Sequence, residues 1–207
     1  MPAVSLRRFF SFSALLLASW SSLSVAATAC PAGQYKVCVV ACFCAPGTQE
    51  EIGPLAESMG QMAASGLEGW LVRSRNTAAL GNIQRIPLNI RAQLEPYYDI
   101  QVLDSAFYKV GDDVEMNAAN TMLQNPDVNA VTLVDIIVFR NEDDALNNVA
   151  LWAHELKHVQ QYLQWGVRDF AVRYTRDYNE VEAPAYEIQR RVASTMRSAA
   201  SQSASAR

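Results

Sequence analysis

Apolar residues recur at helical spacing in the first half of the chain. Thr48, followed by Glu50 and Glu51, predicts the start of a helix that runs through residues 52–75. Its inward face is predicted to comprise Leu55, Met59, Met62, Ala63, Leu67, Trp70 and Leu71. We expect this face, methionines included, to be part of the core rather than a binding groove.

The remainder of the chain mixes predicted strands with further helices. Residues 99–110 alternate enough to form a strand, and residues 130–139 (AVTLVDIIVF) are the most strand-like stretch because they are rich in β-branched side chains. Further helices are predicted after Pro87 with Ile90 and Leu94 inward, over 117–123, from 143 or 144 to about 165, over 167–178, and from a start within 180–184. We therefore expect an α+β fold, mainly helical with a small β-sheet.

Composition limits the class of protein. The chain has 207 residues, of which 50% are hydrophobic, and a formal net charge of −4. This is enough for one domain with a core of its own, and the acidic balance argues against a nucleic-acid partner. We place the domain at residues 48–193 and expect residues 194–207, a Ser/Ala-rich tail without an apolar stripe, to be disordered.

The first 29 residues read as an export signal. Arg7 and Arg8 precede an apolar run, and the small residues Ala27 and Ala29 stand just before Cys30. This layout predicts a secretory signal peptide, with a retained N-terminal anchor as the alternative. Its removal would take the net charge from −4 to −6, leave no membrane span, and place the protein in the periplasm or outside the cell.

Four cysteines are confined to residues 30–47. Cys30, Cys38, Cys42 and Cys44 predict two disulfides in an exported protein, with three possible connectivities. We expect Cys42 and Cys44 to pair outward rather than with each other. A zinc knot and a lipoprotein acylated on Cys30 are the alternatives, and the expected role of the segment is to staple the N-terminus.

The chain's two histidines stand in the sequence HELKH. His154 and His158 are four residues apart on a predicted helix, so both imidazoles project from one face. Glu155 lies one step round the helix, within reach of a water on a metal that the histidines hold. This arrangement predicts a Zn²⁺ site with Glu155 as general base.

Catalytic zinc needs a third protein ligand, and no other histidine exists. Because the cysteines are expected to be oxidised, an acidic residue must serve, and Glu180 and Glu182 are the candidates. A helix beginning near Glu182 would keep Pro184 in its first turn, where proline is tolerated. We prefer Glu182 and keep Glu180 as the alternative.

These motifs resemble the gluzincins, whose third ligand is a glutamate on a downstream helix. Asn179-Glu180 is partly similar to the N-E-x-x-S-D pattern of thermolysin-like members, and Glu182-Ala183-Pro184-Ala185 is similar to the E-x-x-A pattern of others. In the first alignment Pro184, and in the second Tyr186, stands where an acidic or amide residue usually orients a ligand histidine. More narrowly, residues 86–189 resemble the extracellular contractile injection system (eCIS) core domain, a bacterial family with a HEL-x-HV-x-Q helix. The resemblance implies a zincin-like fold with a zinc site at His154, Glu155 and His158, and matches Gln161 to the family's glutamine.

The expected function is that of a secreted zinc metallopeptidase acting on a peptide or protein substrate. The strand at 130–139 would receive an extended peptide by edge pairing, and Tyr162, Tyr174, Tyr178 or Tyr186 would supply the oxyanion donor. The first alternative is a zinc-stabilised binding or structural module of the cell envelope without turnover. The second is an envelope interaction protein that binds through its cysteine segment.

Overall fold

The computed structural model describes residues 30–39, 41–111 and 129–205, together with Met116, Ala119 and Leu123. The predicted signal peptide over 1–29 lies outside the described residues. So does most of the predicted helix over 117–123, of which Ala119 and Leu123 are helical.

The described chain is mainly helical with two small sheets, as the expected α+β class requires. Its elements in chain order are β1 (Gln34–Val39), β2 (Ala41–Pro46), α1 (Gln49–Ala79), β3 (Gln84–Arg85), α2 (Leu88–Leu94), α3 (Ile100–Ser105), β4 (Phe107–Val110), β5 (Ala130–Leu133), β6 (Ile136–Phe139), α4 (Glu142–Asn147), α5 (Val149–Arg176) and α6 (Tyr178–Ser205). In this part of the chain, no helix combines the length and the apolarity that crossing a membrane requires.

A four-stranded sheet forms the centre of the fold, in the order β3-β4-β6-β5. Strands β4 and β6 run parallel, and the two outer pairs are antiparallel. Every residue of β5 and β6 is buried. Ile137 and Phe139 face the apolar cluster that contains α2, α3 and the first half of α5, and Ile136 and Val138 face the cluster around α1. Burial on both faces explains why this segment is so rich in β-branched residues.

The single strand predicted over 130–139 is a two-stranded hairpin. Leu133 pairs with Ile136, so Val134 and Asp135 form a tight turn. Val134 has a φ of 63°, which is unusual for a β-branched residue. Arg75 of α1 holds the turn by donating from Nε and Nη2 to the two Asp135 carboxylate oxygens, each at 2.7 Å. An ion pair from elsewhere in the fold therefore accompanies a bend that local strand propensity does not predict.

The strand predicted over 99–110 is also shorter than expected. Residues Ile100–Ser105 form α3, and only Phe107–Val110 enter the sheet as β4. The apolar residues Val102 and Leu103 are buried as neighbours on a short helix. Alternation over so few residues did not distinguish the two structures. The prediction for α2 is confirmed, with Ile90 and Leu94 both fully buried.

Helix α1 begins where the sequence predicts, but only its second half is core. Thr48 caps the helix and forms a capping box with Glu51. Leu67 and Leu71 are buried as predicted. The predicted inward residues nearer the start are exposed instead: Leu55, Met59 and Met62, the last 75% exposed. The prediction that the methionines of this face belong to the core is therefore wrong, because no described element covers the first half of the face.

The cysteine segment folds as an antiparallel hairpin of β1 and β2, which we call the cysteine hairpin. Cys30 pairs with Cys44 and Cys38 with Cys42, so the two predicted disulfides are present, and Cys42 and Cys44 pair outward as expected. No thiol is left free for a zinc knot or for acylation of Cys30.

Helix α5 consists of two helices joined at a kink. This agrees with the prediction of one helix that ends near residue 165 and another that starts at residue 167. Gly166 has φ 76° and ψ 167°, a backbone conformation that is essentially reserved for glycine. The change of direction lets Phe170 stack on Tyr162 at a centroid distance of 4.0 Å. The one helix predicted from residue 143 or 144 to about 165 is divided in two, because Asn141 caps the short α4 and Asn148 caps a new helix, α5.

Helix α6 is longer than predicted at both ends. It begins at Tyr178, so Pro184 lies beyond its first turn rather than within it. It also continues to Ser205, where the sequence predicted disorder from residue 194 onward. The serines of this exposed extension donate hydrogen bonds to carbonyls three or four residues earlier, as Ser198 does to Ser194. Alanine-rich sequence can continue a helix that is already nucleated in the core.

Candidate metal centre

The HELKH sequence lies in the first half of α5, packed against the sheet. Trp152, on the opposite face from the histidines, is fully buried and donates from Nε1 to the Ala145 carbonyl at 2.8 Å. Its ring contacts Phe139 of β6 at a centroid distance of 4.8 Å. These contacts fix the rotation of α5 about its axis, so that both His154 and His158 face α6 and are buried.

Helix α6 brings the third candidate ligand to the histidines. Glu182 is buried, and its Oε2 lies 3.3 Å from His154 Nε2 while its Oε1 lies 3.6 Å from His158 Nε2. The two Nε2 atoms are 3.2 Å apart. Glu180 points away from this cluster and forms an exposed ion pair with Arg173. Of the two sequence candidates, the structure therefore gathers Glu182 with the histidines.

The spacing of the three side chains fits one divalent cation. Zinc binds histidine nitrogen and carboxylate oxygen at about 2.0–2.2 Å with tetrahedral geometry, which sets ligand atoms about 3.3–3.6 Å apart. The separation of 3.2 Å between the two Nε2 atoms lies close to that range, as do the separations of 3.3 and 3.6 Å from these nitrogens to different oxygens of the Glu182 carboxylate. Among the described residues these three form the one group of histidine, cysteine and acidic side chains placed to hold a metal ion. Zinc is not distinguished by this geometry from other ions that accept imidazole and carboxylate.

The charges of the cluster are strongly coupled. Burial acts to raise the pKa of Glu182, but the adjacent imidazoles outweigh burial and lower this pKa to about 2. Burial acts to lower the pKa of His158, but Glu182 and its hydrogen bonds outweigh burial and raise this pKa to about 9. Without a metal, a proton on His158 balances the buried carboxylate. A cation would displace that proton, since metal binding requires neutral imidazole.

The outer nitrogens of the two histidines have different surroundings. His158 Nδ1 lies 2.8 Å from Gln161 Oε1, and Gln161 Nε2 donates to the Val181 carbonyl at 2.8 Å. His154 Nδ1 is buried and has no hydrogen-bond partner among the described residues. The ring of His154 instead meets that of Tyr186 edge to face, at a centroid distance of 4.7 Å.

Glu155 lies in the same small cavity as the three candidate ligands and is held by the sheet. Thr132 Oγ1 of β5 is 2.7 Å from Glu155 Oε2 and 3.1 Å from the Glu155 carbonyl oxygen. The side chain of Glu155 therefore has a fixed direction. Strand β5, at one edge of the described sheet, lines this cavity, so the strand predicted to meet a peptide does lie beside the site.

The four candidate tyrosines have distinct positions. Tyr162 and Tyr174 are buried and line the cavity, where their hydroxyls donate to the carbonyls of Thr132 and Leu123 at 3.5 and 3.4 Å. Burial, reinforced by the charges of Glu155 and Glu182, raises the pKa of Tyr162 well above its ordinary value. Tyr178 and Tyr186 lie toward the surface. The tyrosines that line the cavity therefore remain protonated hydrogen-bond donors.

Sequence reasoning missed Thr132 entirely. It is the polar residue in the middle of an otherwise apolar strand, and a lone hydroxyl in a buried strand needs a hydrogen-bond partner. That mismatch was the available signal. The resemblance did point to Gln161, and the structure shows what its amide contacts.

Comparison with known proteins gives one match. Residues 85–166 match the family model of the eCIS core domain, and this match supports the resemblance of the segment to the eCIS core family. The match covers under half of the chain; it includes His154, Glu155, His158 and Gln161 and ends before Glu182. No curated protein and no solved structure matches the chain.

Proposed function

We propose that this protein is an exported zinc-dependent metallopeptidase. The observation that carries the proposal is the convergence of His154, His158 and Glu182 at separations of 3.2 to 3.6 Å, next to the anchored carboxylate of Glu155. Three protein ligands leave the fourth position of a tetrahedral ion open, which is the pattern of catalytic rather than structural zinc.

Each residue of the site would have a defined role in the hydrolysis of a peptide bond. Zinc held by the three ligands would polarise a scissile carbonyl and lower the pKa of a bound water. Glu155, held by the Thr132 hydroxyl, would take the proton of the attacking water and return it to the leaving amine. Strand β5 would align an extended peptide by edge pairing. Export is supported by the two disulfides, which persist in oxidising compartments.

A second candidate function is a zinc-stabilised binding module without turnover. It is favoured by His154 Nδ1, which has no hydrogen-bond partner among the described residues, and by the presence of tyrosine rather than an acidic residue at position 186. A ligand histidine without an outer hydrogen bond is a weaker and less basic ligand. Such a site could hold zinc for stability while activating water poorly.

The test combines metal content with hydrolysis of a mixed peptide library, followed by mass spectrometry. We expect one zinc per chain in the wild type and in Glu155→Gln, and none in Glu182→Gln. Glu180→Gln is the matched control, since it lies two residues away and outside the cluster, and it should keep both zinc and activity. Hydrolysis should fall about 10²- to 10⁴-fold in Glu155→Gln, because the general base is lost.

The other outcomes separate the candidates. Stoichiometric zinc with no hydrolysis above that of Glu155→Gln would favour the binding module. Absence of zinc from wild-type protein refolded with excess zinc would overturn both functions and leave the cysteine hairpin as the segment to study.

A further inference from the structure

Gln161 joins the two helices that supply the metal ligands. It lies on α5, three residues after His158, and is 1% exposed. Its amide contacts two groups, both at 2.8 Å: His158 Nδ1 on its own helix and the carbonyl oxygen of Val181 on α6. Val181 immediately precedes Glu182, so the amide lies between one ligand and the backbone next to another.

The direction of each hydrogen bond follows from the chemistry of the Val181 carbonyl. A carbonyl oxygen only accepts, so the amide nitrogen of Gln161 must face it. The amide oxygen then faces His158, and because that oxygen also only accepts, His158 Nδ1 must carry a proton. In the neutral imidazole, the lone pair then lies on Nε2, the atom that points at His154 and Glu182.

The other histidine has no such arrangement. His154 Nδ1 has no partner in the described part of the chain, and its ring is positioned by contact with Tyr186. Among the described residues, a hydrogen bond to the outer ring nitrogen therefore orients His158 but not His154.

We propose that Gln161 is a positioning residue that fixes the proton of His158 on Nδ1. This inference rests on the proposed metal site and adds a route by which the cluster is aligned. The Gln161 amide leaves the Nε2 lone pair of His158 free for a cation. The same amide also donates a hydrogen bond to the turn of α6 from which Glu182 projects.

Two substitutions separate the two hydrogen bonds. Gln161→Glu keeps an acceptor for the His158 Nδ1 proton but loses the donor to Val181. Gln161→Met has similar length and loses both bonds. Gln160→Met is the matched control, because Gln160 is the neighbouring residue and contacts Lys157 rather than a ligand.

The first readout is zinc affinity, measured by competition with a chromophoric chelator. We expect Gln161→Met to bind zinc about 10- to 100-fold more weakly, the range for loss of an outer partner of a ligand histidine. Gln161→Glu should bind as tightly as wild type or more tightly, and Gln160→Met should be unchanged. If Gln161 only tied the helices together, both Gln161 variants would weaken binding equally, and this result would overturn the proposal.

The second readout needs no metal. Nitrogen-15 NMR of histidine-labelled, metal-free protein should show a His158 Nδ1 proton that its hydrogen bond to Gln161 protects from exchange, in wild type and in Gln161→Glu, whether or not Nε2 is also protonated. Gln161→Met should lose this signal by exchange with water. Wild-type protein that binds no zinc would contradict the proposed function, whereas wild-type protein without a protected Nδ1 proton would contradict the role of Gln161.

Discussion

The cysteine hairpin and the candidate metal centre are held in place by opposite means. In the hairpin, Val37 is the one buried side chain among those described, and two disulfides close the strands. The metal centre has no covalent link, and α5, α6 and β5 bring its side chains together through buried contacts across 50 residues of sequence. A segment too small to form a core is closed by local crosslinks, whereas a site assembled from distant residues depends on the core itself.

The largest test of this contrast compares one aromatic residue from each region. Trp152→Ala should lower the free energy of unfolding by about 3–5 kcal/mol, because it empties a fully buried position behind the histidines. Phe43→Ala in the hairpin should change it by less than about 0.5 kcal/mol, since this ring is exposed. Chemical denaturation of both variants measures the difference. Equal losses would mean that the hairpin is part of the core.

Helix α1 contains both situations within one element. Leu71→Ala, in the buried second half, should cost about 2–5 kcal/mol of unfolding free energy. Met62→Ala, on the exposed face of the first half, should cost less than about 0.5 kcal/mol. Urea denaturation of the two variants checks this expectation. A large loss in Met62→Ala would reveal that another part of the chain, or another molecule, covers the exposed face.

The smallest expected effect is that of the disulfides on the site. The Cys30→Ser/Cys44→Ser double variant should loosen the hairpin and raise its rate of proteolysis. Zinc affinity, measured by chelator competition, should stay within about twofold, because no candidate ligand or hydrogen-bond partner of a ligand lies among the hairpin residues that the structure describes. A tenfold or larger loss of affinity would show that the two regions are coupled.

The features that the sequence predicts are those that depend on residues close together in the chain. The histidines of α5 follow from spacing on one helix, and the disulfides follow from clustering, because both signals are local. The sequence argument for Glu182 over Glu180 selects the residue that lies with the histidines, but it rests on a wrong expectation about where the helix begins. The expectation that Pro184 lies in the first turn of α6 is wrong, and burial of Glu182 against α5, together with the ion pair of Glu180 to Arg173, is what separates the two candidates.

The features that sequence could not predict depend on partners far away in the chain. The break between β5 and β6 goes with a contact from Arg75, 60 residues earlier, to Asp135. The hydroxyl of Thr132 meets Glu155 across 23 residues. The exposed face of Met59 and Met62 has the same periodicity as a buried one, and only the absence of a described neighbour distinguishes it. Periodicity predicts which residues share a face but not whether that face is covered.

The kink at Gly166 makes one position of the chain sensitive to handedness. Its dihedral angles, φ 76° and ψ 167°, are the mirror image of an extended conformation that any L-amino acid adopts readily. A D-alanine built in by chemical synthesis would therefore suit this backbone, and the L-enantiomer would strain it. The aromatic stack of Phe170 on Tyr162 depends on the one genetically encoded residue that has no handedness of its own.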